Sequence, residues 1–336
     1  MNRLIRLITG MGIVFLTAGT VGAAEKVTID NFVRAESDAV FSRYVQQGGF
    51  GKFFNQRNPV SIDKQNVIRM NRDTLYSVGI FDLTEPVTIV KPASDGRYQS
   101  MMVLSQDQYV VMIEYGEGEF TLTKDQVGTR YGCVIFRTFI DASDPDDITA
   151  ANALQDKITV RQKNTGTLEM PDWDAASLKR IRDAVNVLAA TRSSAKGMFG
   201  KKGHVDPISH LLGAAYGWGG LPDSAAIYDN VVPQKNDGST PYSLSVEDVP
   251  VDGFWSITVY GKDGFMVKNN QNAYSYNNKT ARKNPDGSIT INFGGGRDAI
   301  NNLPITPGWS YIVRMYQPRK EIIDGSWQFP PPQPAG

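Results

Sequence analysis

RYQSMMVLSQDQYVVMIEYGEGEFTLTKDQVGTRYGCVIFRTF, residues 97–139, decides the fold class. Val, Ile, Phe, Tyr and Thr crowd into short runs at 97–104, 109–115, 120–123 and 133–139. Such side chains suit a pleated, half-buried surface, so each run predicts a strand. Asp95-Gly96 separates the first run from another at 86–91, and Glu117-Gly118 punctuates the middle. These turn signals predict antiparallel hairpins in a sandwich or a barrel.

Working outward, Ile29, Phe32, Val33, Val40, Phe41 and Tyr44 share a helical face upstream, with Thr28 or Asp30 as its cap and Gly48-Gly49 as its stop. Downstream the pattern turns helical. Asp144-Pro145 opens one helix running toward Ile158, and a second follows Asp172 with Leu178, Ile181, Val185 and Leu188 in register. Asp206-Pro207 opens a third, short one through His210 and Leu211. The last third returns to strands at 242–246, 254–260, 288–293 and 311–316, with hairpin signals at Asp263-Gly264 and Asp286-Gly287. Pro330 to Pro334 makes an extended tail.

The first residues read as a secretory signal. Arg3 and Arg6 precede an uncharged apolar run at 7–21, and Gly22-Ala23-Ala24 offers small residues for cleavage. An uncleaved anchor is the alternative, but the run is short for a membrane span and contains three glycines. The expectation is export to the periplasm and no transmembrane segment after cleavage. Charge is balanced, 35 basic against 35 acidic residues, which argues against nucleic acid as a partner. The single Cys133 excludes an internal disulfide, and its apolar run predicts a buried, inert thiol.

Several motifs resemble a known pairing of families. Asn71-Arg72-Asp73-Thr74-Leu75-Tyr76-Ser77 with Phe81-Asp82-Leu83, Gly96-Arg97-Tyr98 and Arg137-Thr138 resemble the domain of unknown function 1254. Phe254 to Tyr260, Asp286-Gly287-Ser288, Asn302-Leu303-Pro304, Arg314-Met315-Tyr316 and Asp324-Gly325-Ser326-Trp327 resemble its companion, the domain of unknown function 1214. The linking pieces Asp206 to Leu211 and Gly217 to Pro222 fit the same pairing. The resemblance implies an N-terminal mixed β domain and a jelly-roll-like C-terminal sandwich, and it transfers no catalytic residues. The fold expected is therefore β-rich α+β, two antiparallel β domains bridged by helices. Its parts are a signal peptide at 1–24, a β domain at 25–145, a helical bridge at 146–222, and a sandwich with a Pro-rich tail at 223–336. The Asn- and Tyr-rich stretch 269–280 departs from the family pattern, which bears on ligand preference.

Chemistry-bearing patterns are sparse. With His204, His210 and one Cys, a zinc site of soft ligands cannot be assembled, and no metal or cofactor is called for. Asp144, Asp146 and Asp147 lack EF-hand spacing and fit a helix N-terminus. No nucleophile elbow or dinucleotide fingerprint is present, and Gly294-Gly295-Gly296-Arg297 reads as a hairpin connection before an anion nest. His210 is the candidate for a catalytic base, against a packing role; a triad would use His210 or His204, and Glu114, Glu117 and Glu119 are the acidic alternative.

The binding candidates form a polar–aromatic set: Arg72, Asp73 and Tyr76 early, Trp255, Tyr260, Tyr274 and Arg314 late. Arginine offers a rigid fork to a carboxylate or phosphate, and aromatic rings offer flat apolar contact. Strand alternation puts Trp255, Ile257 and Val259 on one face and Phe254, Ser256, Thr258 and Tyr260 on the other. The same residues also fit a structural role, with Arg72 and Asp73 locking the domains by ion pairs and Trp255 in a core. Three functions follow: binding of a small polar or anionic ligand between the β domains, a cofactor-free hydrolase, or an envelope assembly protein. The oligomeric state is left open.

Overall fold

The computed structural model describes residues 24–65, 68–192 and 194–335, so the expected signal segment lies outside the described residues except for Ala24. The N-terminal unit comprises α1 (Phe32–Gln46), β1 (Phe54–Asn55), β2 (Thr74–Asp82), β3 (Val87–Lys91), β4 (Gln99–Ser105), β5 (Val110–Glu114), β6 (Gly118–Leu122), α2 (Lys124–Val127), β7 (Tyr131–Phe139), α3 (Pro145–Asp156) and β8 (Thr159–Gln162). Its strands form an antiparallel five-stranded sheet, β1-β2-β7-β4-β5, and a three-stranded sheet, β6-β3-β8.

The expected strands are present, but two turn signals do different work. Asp95-Gly96 and Glu117-Gly118 close no hairpins, because each passes the chain from one sheet to the other. The true hairpin joins β4 to β5 through Gln108, which adopts φ 62°. Strand β2, unmarked by alternation, is buried along nearly its whole length. Both faces of its sheet are covered, so the polar-out half of the period is missing.

One face of the large sheet packs Phe81, Met101, Val103 and Phe136 against Val87 and Ile89 of the small sheet. The opposite face presents Val78, Ile80, Met102, Leu104, Cys133 and Ile135 to Phe41 of α1, to Leu221, and to Phe254 and Tyr316 of the C-terminal unit. The two units thus share a core. Each such side chain contributes roughly 1.5–3 kcal/mol on leaving water.

Between the units stand α4 (Ala175–Ala189) and α5 (Pro207–Tyr216), packed on α1 through Phe32, Ala35, Leu178, Val185 and Leu212. Asp144, Asp174 and Asp206 cap α3, α4 and α5 through backbone N–H groups. Helix α1 differs from expectation: neither Thr28 nor Asp30 caps it, and Asn31 at the N-cap makes no side-chain cap bond. Its buried face includes Glu36 and Asp38, which is why its apolar pattern is weak. Arg182 of α4 donates to both Glu36 oxygens, and Trp173 Nε1 donates to Asp38 at 2.9 Å.

The C-terminal unit follows with β9 (Ala226–Val231), β10 (Tyr242–Val246), β11 (Trp255–Tyr260), β12 (Ser275–Asn277), β13 (Ile289–Phe293), β14 (Asn302–Leu303), β15 (Ser310–Tyr316), α6 (Lys320–Ile323) and β16 (Gln333–Pro334). Sheets β12-β11-β15-β9 and β14-β13-β10-β16 face each other across Trp255, Ile257, Val313, Leu244, Ile291 and Phe293. Pairing is antiparallel except between β13 and β14. The proline-rich tail supplies β16, an edge strand on β10, where proline is tolerated. Among the described residues no helix is long and apolar enough to cross a membrane.

Candidate functional site

Alternation along β11 and β15 turns Ser256, Thr258, Tyr260, Arg314 and Tyr316 away from the sandwich core and toward the N-terminal unit. The segment before β2 meets them. Ser256 Oγ donates to Asp73 Oδ2 at 2.6 Å, Asn71 Nδ2 to the Tyr316 hydroxyl at 2.9 Å, and the Tyr260 hydroxyl to the Met70 carbonyl at 2.8 Å. Arg314 donates to Thr258 Oγ1 at 2.9 Å, to the Tyr260 hydroxyl at 2.7 Å and to the Arg69 carbonyl at 2.9 Å. Burial pushes the Asp73 carboxyl above the usual range, against the pull of the Arg314 charge and the Ser256 hydroxyl. Two adjacent buried sets of hydrogen bonds therefore fasten the units, one through Asp73 and Ser256 and one through Arg314 and Tyr260.

The other predicted residues lie apart. The Arg72 guanidinium stands 5.3 Å from the Tyr274 ring, donates to the Val60 carbonyl, and lines with Tyr274 and Asp73 a recess of ≈ 200 Å³. Burial pulls its pKa below the ordinary arginine value. Trp255 points into the sandwich core against Phe329. His210 is buried, stacked on Tyr109 with centroids 4.1 Å apart, and its Nε2 bonds the Asp107 carbonyl at 2.9 Å. Burial lowers its pKa, so the ring is neutral at pH 7. Cys133 is fully buried and its thiol pKa is pushed up by burial.

Two features beyond that set concern ligands. The first is a cleft of ≈ 690 Å³ between the helices and the outer face of the C-terminal sheet. Ala190 at the end of α4, Ala195 and Phe199 in the connection that follows, and Ala215 of α5 form its wall, while Tyr228, Asn230, Ile312 and Arg314 form its floor. Half-exposed Ile68 and Arg69 stand at its mouth, where Arg69 Nη1 donates to the Tyr216 hydroxyl at 2.7 Å. Arg69 adopts φ 57°, held by the bond from Arg314 to its carbonyl. The described lining residues include two arginines and no Asp or Glu. Asn230 Oδ1 on the floor is buried without a partner.

The second is a polar row on the inner face of the five-stranded sheet. Tyr76 of β2 lies directly opposite Arg137 of β7, and Arg137 directly opposite Ser100 of β4. Arg137 is 6 % exposed; its Nη2 donates to the Gly219 carbonyl at 2.7 Å, and its Nη1 has no partner among the described residues. The guanidinium sits 5.5 Å from the Tyr76 ring, and none of the ion pairs among the described residues includes it. Tyr98, Tyr115, Tyr228 and Tyr316 complete its surroundings. Burial pushes the Tyr228 hydroxyl up to about 12 and those of Tyr98 and Tyr115 up as well, so all three remain protonated. The sequence signal was a lone charge inside an apolar strand, Cys-Val-Ile-Phe-Arg137-Thr-Phe.

Residues 50–162 match the family described as "Protein of unknown function (DUF1254)" and residues 228–320 the one described as "Protein of unknown function (DUF1214)". The chain belongs to both families. The DUF1254 part carries Arg72, Asp73, Tyr76 and Arg137; the DUF1214 part carries Tyr228, Trp255, Tyr260, Tyr274 and Arg314. The wall of the cleft falls in the stretch between the two matches. No curated protein matches the chain. Among solved structures, the VPA0106 protein from Vibrio parahaemolyticus is similar at TM-score 0.69 and 19% identity, over 92% of this chain and 98% of that one. A putative uncharacterized protein from Burkholderia cenocepacia is similar at TM-score 0.51 and 13% identity, over 86% of this chain and 84% of that one. At these identities the likeness is one of fold alone.

Proposed function

We propose that this DUF1254–DUF1214 protein binds a small organic anion with an apolar body, in the cleft between the helical bridge and the C-terminal sheet. One observation carries the reading: a cleft of ≈ 690 Å³, apolar over most of its lining but with Asn186 and Asn230 also in it, has two arginines and no carboxylate among its described lining residues. A concave, mostly apolar site with a few placed polar groups suits a small ligand. Arg69 at the mouth offers the charged fork, and Arg314 on the floor adds positive potential although its bonds are already committed. The walls leave room for an aliphatic or aryl group.

Calorimetric titration with monocarboxylates, and with alcohols and amines of matched size, tests the proposal. Carboxylates are expected to bind more tightly. Arg69→Asn removes the charge while keeping a residue that tolerates positive φ, and it should weaken carboxylate binding roughly tenfold. Ala190→Trp should fill the cleft from its wall and abolish binding. Equal binding of alcohols and carboxylates, or affinity untouched by both substitutions, would refute the reading.

We further propose that the protein acts in the periplasm after signal cleavage. Arg3, Arg6, the apolar run 7–21 and Gly22-Ala23-Ala24 support this. N-terminal sequencing of protein from a periplasmic extract should begin near Ala24 or Glu25. Recovery of an intact Met1 from the cytoplasm would overturn it.

A further inference from the structure

We infer that Arg137 holds a small inorganic-sized monoanion, of the halide or nitrate class, inside the seam between the two β units. The site adjoins the cleft above through Tyr228 but rests on its own observations. An arginine stays charged at any working pH, and an unpaired buried cation is costly. Arg137 is nine-tenths buried, lacks a carboxylate partner, and leaves Nη1 without an acceptor. Around it the hydroxyls of Ser100, Tyr98 and Tyr115 are also buried, with Tyr98 adjacent to the other two and no further partner for any of the three.

The donor count decides what is missing. Nη1 and three hydroxyls all have hydrogens to give. Hydroxyls can pass a bond along a chain, Nη1 to one and that one to the next, but the last still needs an acceptor. A water accepting there would bring two more hydrogens of its own and no charge. A monoanion accepts several donors at once and neutralises the guanidinium. Nη2 is committed to Gly219 and the Tyr76 ring flanks the guanidinium, so Nη1 is the donor left for the anion. A cavity of ≈ 470 Å³ at the edge of the seam reaches Tyr98 and Tyr115 and is lined also by Phe139 and Phe254, with Arg97, Lys279, Asp95, Asp147 and Asp252 on its wall.

The test uses the full mature chain in a gluconate buffer of fixed ionic strength, with sodium chloride, bromide or nitrate replacing gluconate stepwise. Expected is a saturable rise in melting temperature, about 4 °C at a hundredfold excess over Kd, from mass action on the folded state alone. Gluconate, the bulky reference anion, should give none. Arg137→Gln should abolish the saturable part, and Arg69→Asn should leave it intact, which separates this site from the cleft. Should Arg137→Gln fail to fold, ³⁵Cl line broadening gives a second readout. Wild type should broaden the chloride signal, nitrate should reverse it, and Tyr115→Phe should weaken it. Stabilisation that is non-saturable or equal for all anions, or broadening unchanged in Tyr115→Phe, would overturn the inference.

Discussion

Replacing Ser256 by Ala tests the fastening between the units most directly. The hydroxyl donates to Asp73 Oδ2 at 2.6 Å, and the Asp73 carboxyl is 1 % exposed. Loss of a hydrogen bond that leaves a buried acceptor unsatisfied costs about 1–3 kcal/mol, because no water replaces the lost donor. For a chain of this length that is about 2–5 °C in Tm, from an unfolding entropy near 2 cal/mol/K per residue. The loss should depend on pH. Burial raises the Asp73 pKa in the fold, so its contribution is complete below the unfolded pKa and fades as pH rises through the folded one. Removing the Ser256 donor raises the folded value further. The deficit of Ser256→Ala should therefore be largest at neutral pH and shrink on acidification, as both proteins protonate the carboxyl. Urea unfolding of both proteins from pH 4 to pH 8 measures it. A deficit below about 0.5 kcal/mol at pH 7, or one that grows toward acid, would refute the reasoning.

Three further outcomes are expected. Phe254→Ala removes a ring stacked 4.3 Å from Tyr316 in the shared core and should cost about 3–5 kcal/mol, read by urea unfolding. For Asp82, burial pushes the carboxyl up, but the bonds from Arg130, Thr84 N and Thr167 N outweigh it and hold the pKa below the ordinary range. Its stabilisation is thus present above the unfolded pKa and lost as pH falls through the folded one, so Asp82→Asn should lower stability at pH 7 and flatten the acid limb of the curve. Gly166 adopts φ 74°, and a Cβ there would lie 2.5 Å from Asp82 Oδ2. Gly166→Ala should therefore lower Tm by the strain of its backbone and the displaced carboxylate, whereas Gly48→Ala, in open space, should show the backbone part alone.

Strand and helix content was legible wherever the local period was intact. Asp206-Pro207 named the start of α5, and 242–246 coincides with β10, because caps and alternation act within a few residues. Partnering was not. Asp95-Gly96 reads as a hairpin whether it returns to its own sheet or crosses to another, since the choice depends on where Val87 and Met101 find apolar cover. The face assignment of β11 held, with Ser256, Thr258 and Tyr260 turned from the core, yet which unit they would meet was not contained in the alternation. Arg69, Tyr228 and Asn230 carry no motif at all; they come together because α5, β9 and the segment before β2 converge. Arg137 did leave a trace, a charge where the strand period called for an apolar side chain.

The shared core has a consequence for cooperativity. Met102, Leu104, Cys133 and Ile135 on one side and Phe254 and Tyr316 on the other are buried only because both units are present. Severed between the two family regions, each half would expose an apolar face larger than an isolated small domain tolerates in water. Neither half is then a free-standing module, and the whole should melt in one calorimetric transition whose van't Hoff and measured enthalpies agree. Two families in sequence would then amount to a single thermodynamic unit, and two separate transitions would refute this.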